Sequence, residues 1–232
     1  MSELLTVQNL SKNYCSKQAL KNVSLSVSKG RIVGLLGPNG SGKTTMLKLI
    51  NGLLRPSAGQ VMIDGQAPGI KTKSLISYLP DKSYLNDWMT VSQLIEFFAG
   101  FYTDFSREKA AEMLKSLQID GGERLKALSK GTKEKVQLIL VMARNAPLYL
   151  LDEPIGGVDP AARDYILDTI LSNYNDNASI LFSTHLIADV EKIFDDVIFI
   201  NQGEIVLADS VDHIRQEHNK SVDELFREVF KC

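Results

Sequence analysis

The chain has 232 residues, 44% of them apolar, with 26 basic against 28 acidic side chains and a net charge of -2. That length suits one α/β domain, or a core with one insertion, and supplies a sizeable interior. The near-neutral balance gives no general pull towards nucleic acid or an anionic membrane.

The opening residues, MSELLTVQNL, lack the charged-then-apolar layout of a signal peptide. LLTVQNL and VSLSV alternate and predict half-buried strands. Between them lies Cys15; the other cysteine, Cys232, is far away and in no metal or redox spacing. Both read as thiols of a reducing cytosol. RIVGLLG is a short apolar run ending in glycine, as a buried parallel strand would be. It leads into Gly37, Pro38, Asn39, Gly40, Ser41, Gly42, Lys43 and Thr44, a P-loop pattern that opens the helix TTMLKLING. The backbone N–H groups of such a loop ring a phosphate, Lys43 brings charge to the outer phosphates, and the Thr44 hydroxyl is a candidate Mg²⁺ ligand. QVMID and LISYL predict two further strands.

From Pro80 the texture changes, and nearly half of the aromatic residues fall between Tyr78 and Phe105. VSQLIEFFAGFY and SREKAAEMLKSLQ have helical spacing, so Leu85 to Leu128 is expected to be a helical insertion. LSKGTKEKVQ then opens a helix that Ser129 can cap, with Gly131 permitting close backbone approach, as at an anion site. After it the α/β alternation resumes. LYLLDEP, SILFSTH, DVIFI and EIVLA predict strands, while DPAARDYILDTIL and LIADVEKIF predict helices. The last segment, 211–232, predicts one or two helices. No apolar run reaches the ~18 residues of a membrane span, so any membrane part is expected from another chain.

Asp152 and Glu153 end an apolar strand. One such carboxylate can hold Mg²⁺ through water, and the next can take a proton from an attacking water. His185 ends a strand where ligands bind in parallel α/β sheets, although a lone histidine also fits a core or surface role. Tyr14 can stack on a base or simply pack.

The P-loop, LSKGT, LYLLDEP, the following GGVD and the STH histidine come in the order of an ABC-type ATPase, and the resemblance covers nearly the whole chain. The chain resembles the stand-alone ATP-binding subunit of an ABC transporter, and within that group the bacterial drug- and bacteriocin-resistance exporters. The resemblance implies a P-loop NTPase (RecA-like) core with an antiparallel β subdomain and an inserted α-helical subdomain, all in one ATPase domain. It implies ATP and Mg²⁺, with Tyr14 on adenine, Gly37 to Thr45 around the triphosphate, and Thr44 and Asp152 at the metal. Glu153 would be the general base, and His185 would contact the γ-phosphate and the water. The loop Gly156 to Asp159 would report across a dimer.

It also implies that Ser129 and Gly131 bind the γ-phosphate held by a second ATPase subunit, either a copy of this chain or a relative. A separate transmembrane permease subunit would complete the machine, with this chain peripheral at the cytoplasmic face. A groove beside the insertion would receive a helix of that permease, with Trp88, Phe97, Phe98 and Phe101 as candidate lining or as the insertion's own core. The chain departs from the family pattern in two places. LSKGT replaces the usual LSGGQ, and Asp81 stands where glutamine is usual. Aspartate keeps an oxygen for Mg²⁺ and loses a donor to water, so Asp81 is expected to be a metal ligand. The alternatives are a soluble ABC ATPase acting on ribosomes or DNA, and a P-loop small-molecule kinase. No paired ATPase unit or long coiled coil supports the first, and LSKGT and STH go unexplained by the second.

Overall fold

The structure, a computed structural model, describes residues 3–158, 160–175 and 177–230; Asp159 and Cys232 lie outside them. Three strands, β1 (Glu3–Tyr14), β2 (Lys17–Ser28) and β4 (Ala58–Ile63), form an antiparallel sheet in the order β2-β1-β4. Tyr14 pairs with Lys17 at the tip of the β1–β2 hairpin, across the two-residue turn at Cys15.

The second sheet has the order β5-β6-β7-β3-β8-β9. Its members are β3 (Ile32–Leu36), β5 (Ile76–Leu79), β6 (Leu148–Asp152), β7 (Ser179–Thr184), β8 (Asp196–Asn201) and β9 (Glu204–Ser210). All neighbours are parallel except β8 and β9. The central strands β3, β6 and β7 are buried along their whole length, because both faces of the sheet are covered. Leu36, Leu151 and Phe182 face one core, while Leu35, Leu150 and Leu181 face a second core shared with β1, β2, β4 and α1 (Lys43–Ile50).

Both helices expected in the insertion form: α3 (Val91–Phe101) and α4 (Arg107–Ser116). Thr90 and Gln93 make a reciprocal capping box at the first, and Ser106 caps the second. A short helix, α2 (Ile70–Leu75), has too few residues to show a period in the sequence. Helices α5 (Lys130–Met142) and α6 (Pro160–Asn173) follow. The C-terminal segment divides into α7 (Val211–His218) and α8 (Val222–Phe230), separated by Asn219 in a left-handed conformation, φ 51°. Phe226 of α8 packs edge-on against Phe199 of β8 at 5.3 Å.

The helix expected over LIADVEKIF is absent. The Thr184 hydroxyl takes the Leu186 N–H at 3.0 Å, and the Ile187 carbonyl accepts from both Val190 and Glu191. These local bonds leave only a 3₁₀ turn at Glu191–Ile193. The aromatic insertion also corrects an expectation. Phe98 is buried with Phe105 at 6.2 Å, but Trp88, Phe97 and Phe101 are exposed and do not fill an insertion core.

Arg144 joins the insertion to the sheet. Its guanidinium makes a two-point pair with Asp104, at 3.1 and 3.0 Å, and lies 3.9 Å from the Tyr102 ring centre. It also donates to the backbone carbonyls of Ser74, at 2.9 Å, and Ile76. Its side chain is only 3% exposed, so removing it takes the donor away from the Ser74 and Ile76 carbonyls and the ion partner away from Asp104. Arg144→Met is therefore expected to lower stability by about 3 kcal/mol, read from the urea midpoint. A loss under about 1 kcal/mol, the size of a surface pair, would mean that the junction does not depend on it.

Candidate active site

The parallel register carries the expected residues to one end of the sheet. Leu36 is opposite Thr184, Asp152 opposite Ser183, and Leu79 opposite Leu151. The chain therefore leaves β3, β5, β6 and β7 on the same side, where ligands bind in such sheets. The exits are the P-loop, Pro80-Asp81, Glu153 and His185.

The loop from β3 to α1 is tightly folded. A Cβ at Gly37 would lie 2.2 Å from the Ile200 carbonyl oxygen, so only glycine fits. Gly42, at φ 116°, is the N-cap of α1 and occupies a conformation that side chains disfavour. Lys43 is the first helical residue. Its ammonium donates to the carbonyls of Gly37 at 2.8 Å and Pro38 at 3.3 Å, and pairs with Glu153 at 3.2 Å.

Asp152 is fully buried. Its Oδ1 accepts from Ser183 Oγ at 2.7 Å and Thr44 Oγ1 at 3.1 Å, while its buried Oδ2 has no protein partner. Burial pushes the Asp152 carboxyl above its usual range; the two hydrogen bonds oppose that shift, and Asp81 and Glu153 add to it. Glu153 has φ 51°, unusual for a non-glycine residue, and its Oε2 meets His185 Nδ1 at 2.9 Å.

A cavity of 600 Å³ collects Tyr14, Asn39, Gly40, Gly42, Lys43, Thr44, Thr45, Asp81, Glu153, Gly156 and His185, with Lys17, Ala19, Gly157 and Lys130. Gly37, Pro38, Ser41 and Asp152 lie outside this lining, as supports of the loop and the strand end. Ser129 and Gly131 are not brought to it. They open α5, exposed, with Ser129 Oγ accepting from the Thr132 N–H at 3.2 Å. Lys130, the lysine of LSKGT, reaches the cavity. Ser183, which donates to Asp152, was invisible to motif reading; the hydroxyl two residues before His185 was the one available sign of it.

The residues fit a divalent cation. Among the described residues no cluster of three or more His, Cys, Asp or Glu forms a cage. Mg²⁺, however, is commonly held by one or two carboxylates together with substrate phosphates. The buried, unpartnered Asp152 Oδ2 beside the Thr44 hydroxyl is such a partial site.

Comparison with known proteins agrees with the geometry. Residues 20–156 match the family described as ABC transporter. An uncharacterized ABC transporter ATP-binding protein, YxlF of Bacillus subtilis, is 33% identical over 94% of this chain and 75% of its own length. The SkfA peptide export ATP-binding protein SkfE, also of B. subtilis, is 33% identical over 88% of each chain. A solved ATP-binding subunit of an ABC transporter superposes with a TM-score of 0.87 at 30% identity, covering 98% of this chain and 99% of its own. A dimeric ATP-binding cassette in a post-hydrolysis state, bound to ADP and phosphate, gives 0.79 at 25% identity over 89% of this chain and 98% of its own. With its P-loop and paired carboxylates on one sheet edge, the chain belongs to the ABC transporter family, as an ATP-binding and ATP-hydrolysing domain.

Proposed function

We propose that this ATPase is the motor subunit of an exporter, in which two subunits close around ATP and drive a separate transmembrane permease. The observation that carries the reading is the position of Ser129 and Gly131, which are exposed at a helix start and do not line the chain's own phosphate cavity, although the Lys130 side chain between them reaches it. A polar helix start with no phosphate of its own fits a γ-phosphate presented by a second subunit. Charge-assisted bonds from Ser129 and Gly131 then exist only while that phosphate is attached, so hydrolysis loosens the pair. The peptide-export name of SkfE supports the outward direction. We take two copies of this chain as the working pair.

Within each site, Gly37 to Thr45 hold the triphosphate, with Pro38, Asn39, Gly40, Ser41 and Gly42 shaping the loop and Tyr14 stacking on the base. Mg²⁺, held by Thr44, Asp81 and Asp152, would neutralise charge on the phosphates. Glu153 accepts the proton of the attacking water, and His185 steadies it through Oε2. Lys43 pairs with Glu153 at 3.2 Å, and a phosphate would compete for the same ammonium.

A second cavity, of 420 Å³, supports the link to a permease. Leu53, Ile76, Tyr84, Phe98 and Tyr102 give it apolar walls, and Lys48, Lys73 and Lys82 line it with no ion pair among the described residues. That combination suits a short amphipathic helix carrying a carboxylate. No described helix is long and apolar enough to cross a membrane, so docking here would hold the chain at the inner membrane face. Residues 85–128 would then serve as the docking insertion of a single ATPase domain, with 211–232 its C-terminal helical segment.

Glu153→Gln should bind ATP while its turnover falls about 10²–10⁴-fold. Light scattering should show that Mg-ATP turns this variant from monomer into dimer, and that adding Ser129→Arg abolishes the change. A monomer that still binds ATP would sink the self-paired reading. Lys43→Ala should lose ATP binding itself, and Asp81→Ala should raise the Mg²⁺ concentration needed for half-maximal turnover; an unchanged Mg²⁺ titration removes Asp81 from the metal site. Tyr84→Ala combined with Lys82→Glu should abolish capture by the permease at unchanged melting temperature. Wild-type capture would place the docking site elsewhere.

A further inference from the structure

We propose that Ser183 is a positioning residue for the ATPase reaction, setting the geometry of both carboxylates at the end of β6. The inference rests on the proposed roles of Asp152 and Glu153. Ser183 is fully buried and lines neither the nucleotide cavity nor its neighbour around Asp81, so it acts only through other groups. Its hydroxyl does two things at once. The proton goes to Asp152 Oδ1 at 2.7 Å, and the oxygen accepts the Glu153 N–H at 3.1 Å. The Ser183 carbonyl takes the same N–H at 3.0 Å.

Both contacts have consequences for the site. With Thr44 and Ser183 on Oδ1, Oδ2 is left as a buried acceptor without a protein donor, available to a metal-bound water. Glu153 turns out of the strand with φ 51°, a sparsely populated conformation that persists where its surroundings over-determine it. The forked N–H bond to Ser183 is such a surrounding. Two residues further along, His185 holds the Glu153 carboxylate itself at 2.9 Å. One strand end therefore grips the metal carboxylate through its side chain and the base through both backbone and carboxylate.

The test is a titration of Mg²⁺ into protein and a fluorescent ATP analogue, with a parallel measurement in EDTA. It compares the wild type, Ser183→Ala and Ser183→Thr. Ser183→Ala removes one oxygen; it should lower the melting temperature modestly, through the lost bond to the buried carboxylate, and leave EDTA affinity unchanged. It should raise the Mg²⁺ half-saturation point about 10–100-fold, the usual cost of losing a partner of a metal ligand, and lower kcat over the same range. Ser183→Thr restores the hydroxyl and should restore both. A wild-type Mg²⁺ titration for Ser183→Ala overturns the assignment. An affinity loss in EDTA as large as that in Mg²⁺ also overturns it, because it marks a general collapse of the site. If the wild type binds the ATP analogue equally with and without Mg²⁺, the metal role fails and this assignment fails with it.

Discussion

The site depends on the register of β6 against β7. Pairing Asp152 with Ser183 sets the two strand ends level, and a shift of one residue would turn every side chain to the opposite face. The same alternation that puts Leu151 and Phe182 in one core and Leu150 and Leu181 in the other therefore decides where Asp152 points. Apolar packing of four short strands fixes the register, and the polar groups at their ends take their positions from it. A catalytic geometry specified to a few tenths of an ångström thus rests on an interior that carries no chemistry.

The buried charges at this end of the sheet, Asp152, Lys43 and Glu153, each have polar or ionic partners. Asp152 has lost most of its solvent, and two hydroxyl donors on one oxygen offset part of that cost. Lys43 and Glu153 are 6% and 12% exposed and lie 3.2 Å apart. Each would be expensive to bury singly, and the lysine needs the carbonyls of Gly37 and Pro38 as well as the carboxylate. On the proposed reading, this pairing also keeps the base occupied until phosphate supplies the lysine with another anion.

Sequence reading reached the groups whose chemistry follows from close neighbours in the chain. The P-loop, Asp152-Glu153 and the capped start at Ser129 are local patterns, and the structure puts each at the end of the expected element. It missed what depends on distant partners. Arg144 gains its role from Asp104, Ser74 and Ile76, which lie 40 to 70 residues away. Ser183 gains its role from Asp152, 31 residues earlier. LIADVEKIF has helical spacing, yet the Thr184 hydroxyl and the buried Ile187 and Val190 draw it into turns instead. The aromatic insertion failed for another reason. Periodicity marks a helix but does not say which of its apolar faces another element covers, and α3 buries Phe98 while leaving Phe97 and Phe101 in solvent.

The departures in LSKGT become intelligible at the level of the cap. Thr132 stands where the family has glutamine. Its N–H and its hydroxyl both meet Ser129 Oγ, at 3.2 and 2.8 Å. If the Thr132 hydroxyl donates, the Ser129 proton is free for another acceptor, which on the proposed reading is a phosphate oxygen. Lys130, in place of the first glycine, is 85% exposed, and its ion pair with Glu134 is long at 3.8 Å. Such a pair is weak and screened, so the ammonium can exchange it for a more highly charged anion. The substitutions remove a glycine and an amide, and leave a hydroxyl pair and a mobile cation at the same helix start. On the proposed reading both groups are suited to a phosphate, and the altered signature would keep the chemistry of the site with different donors.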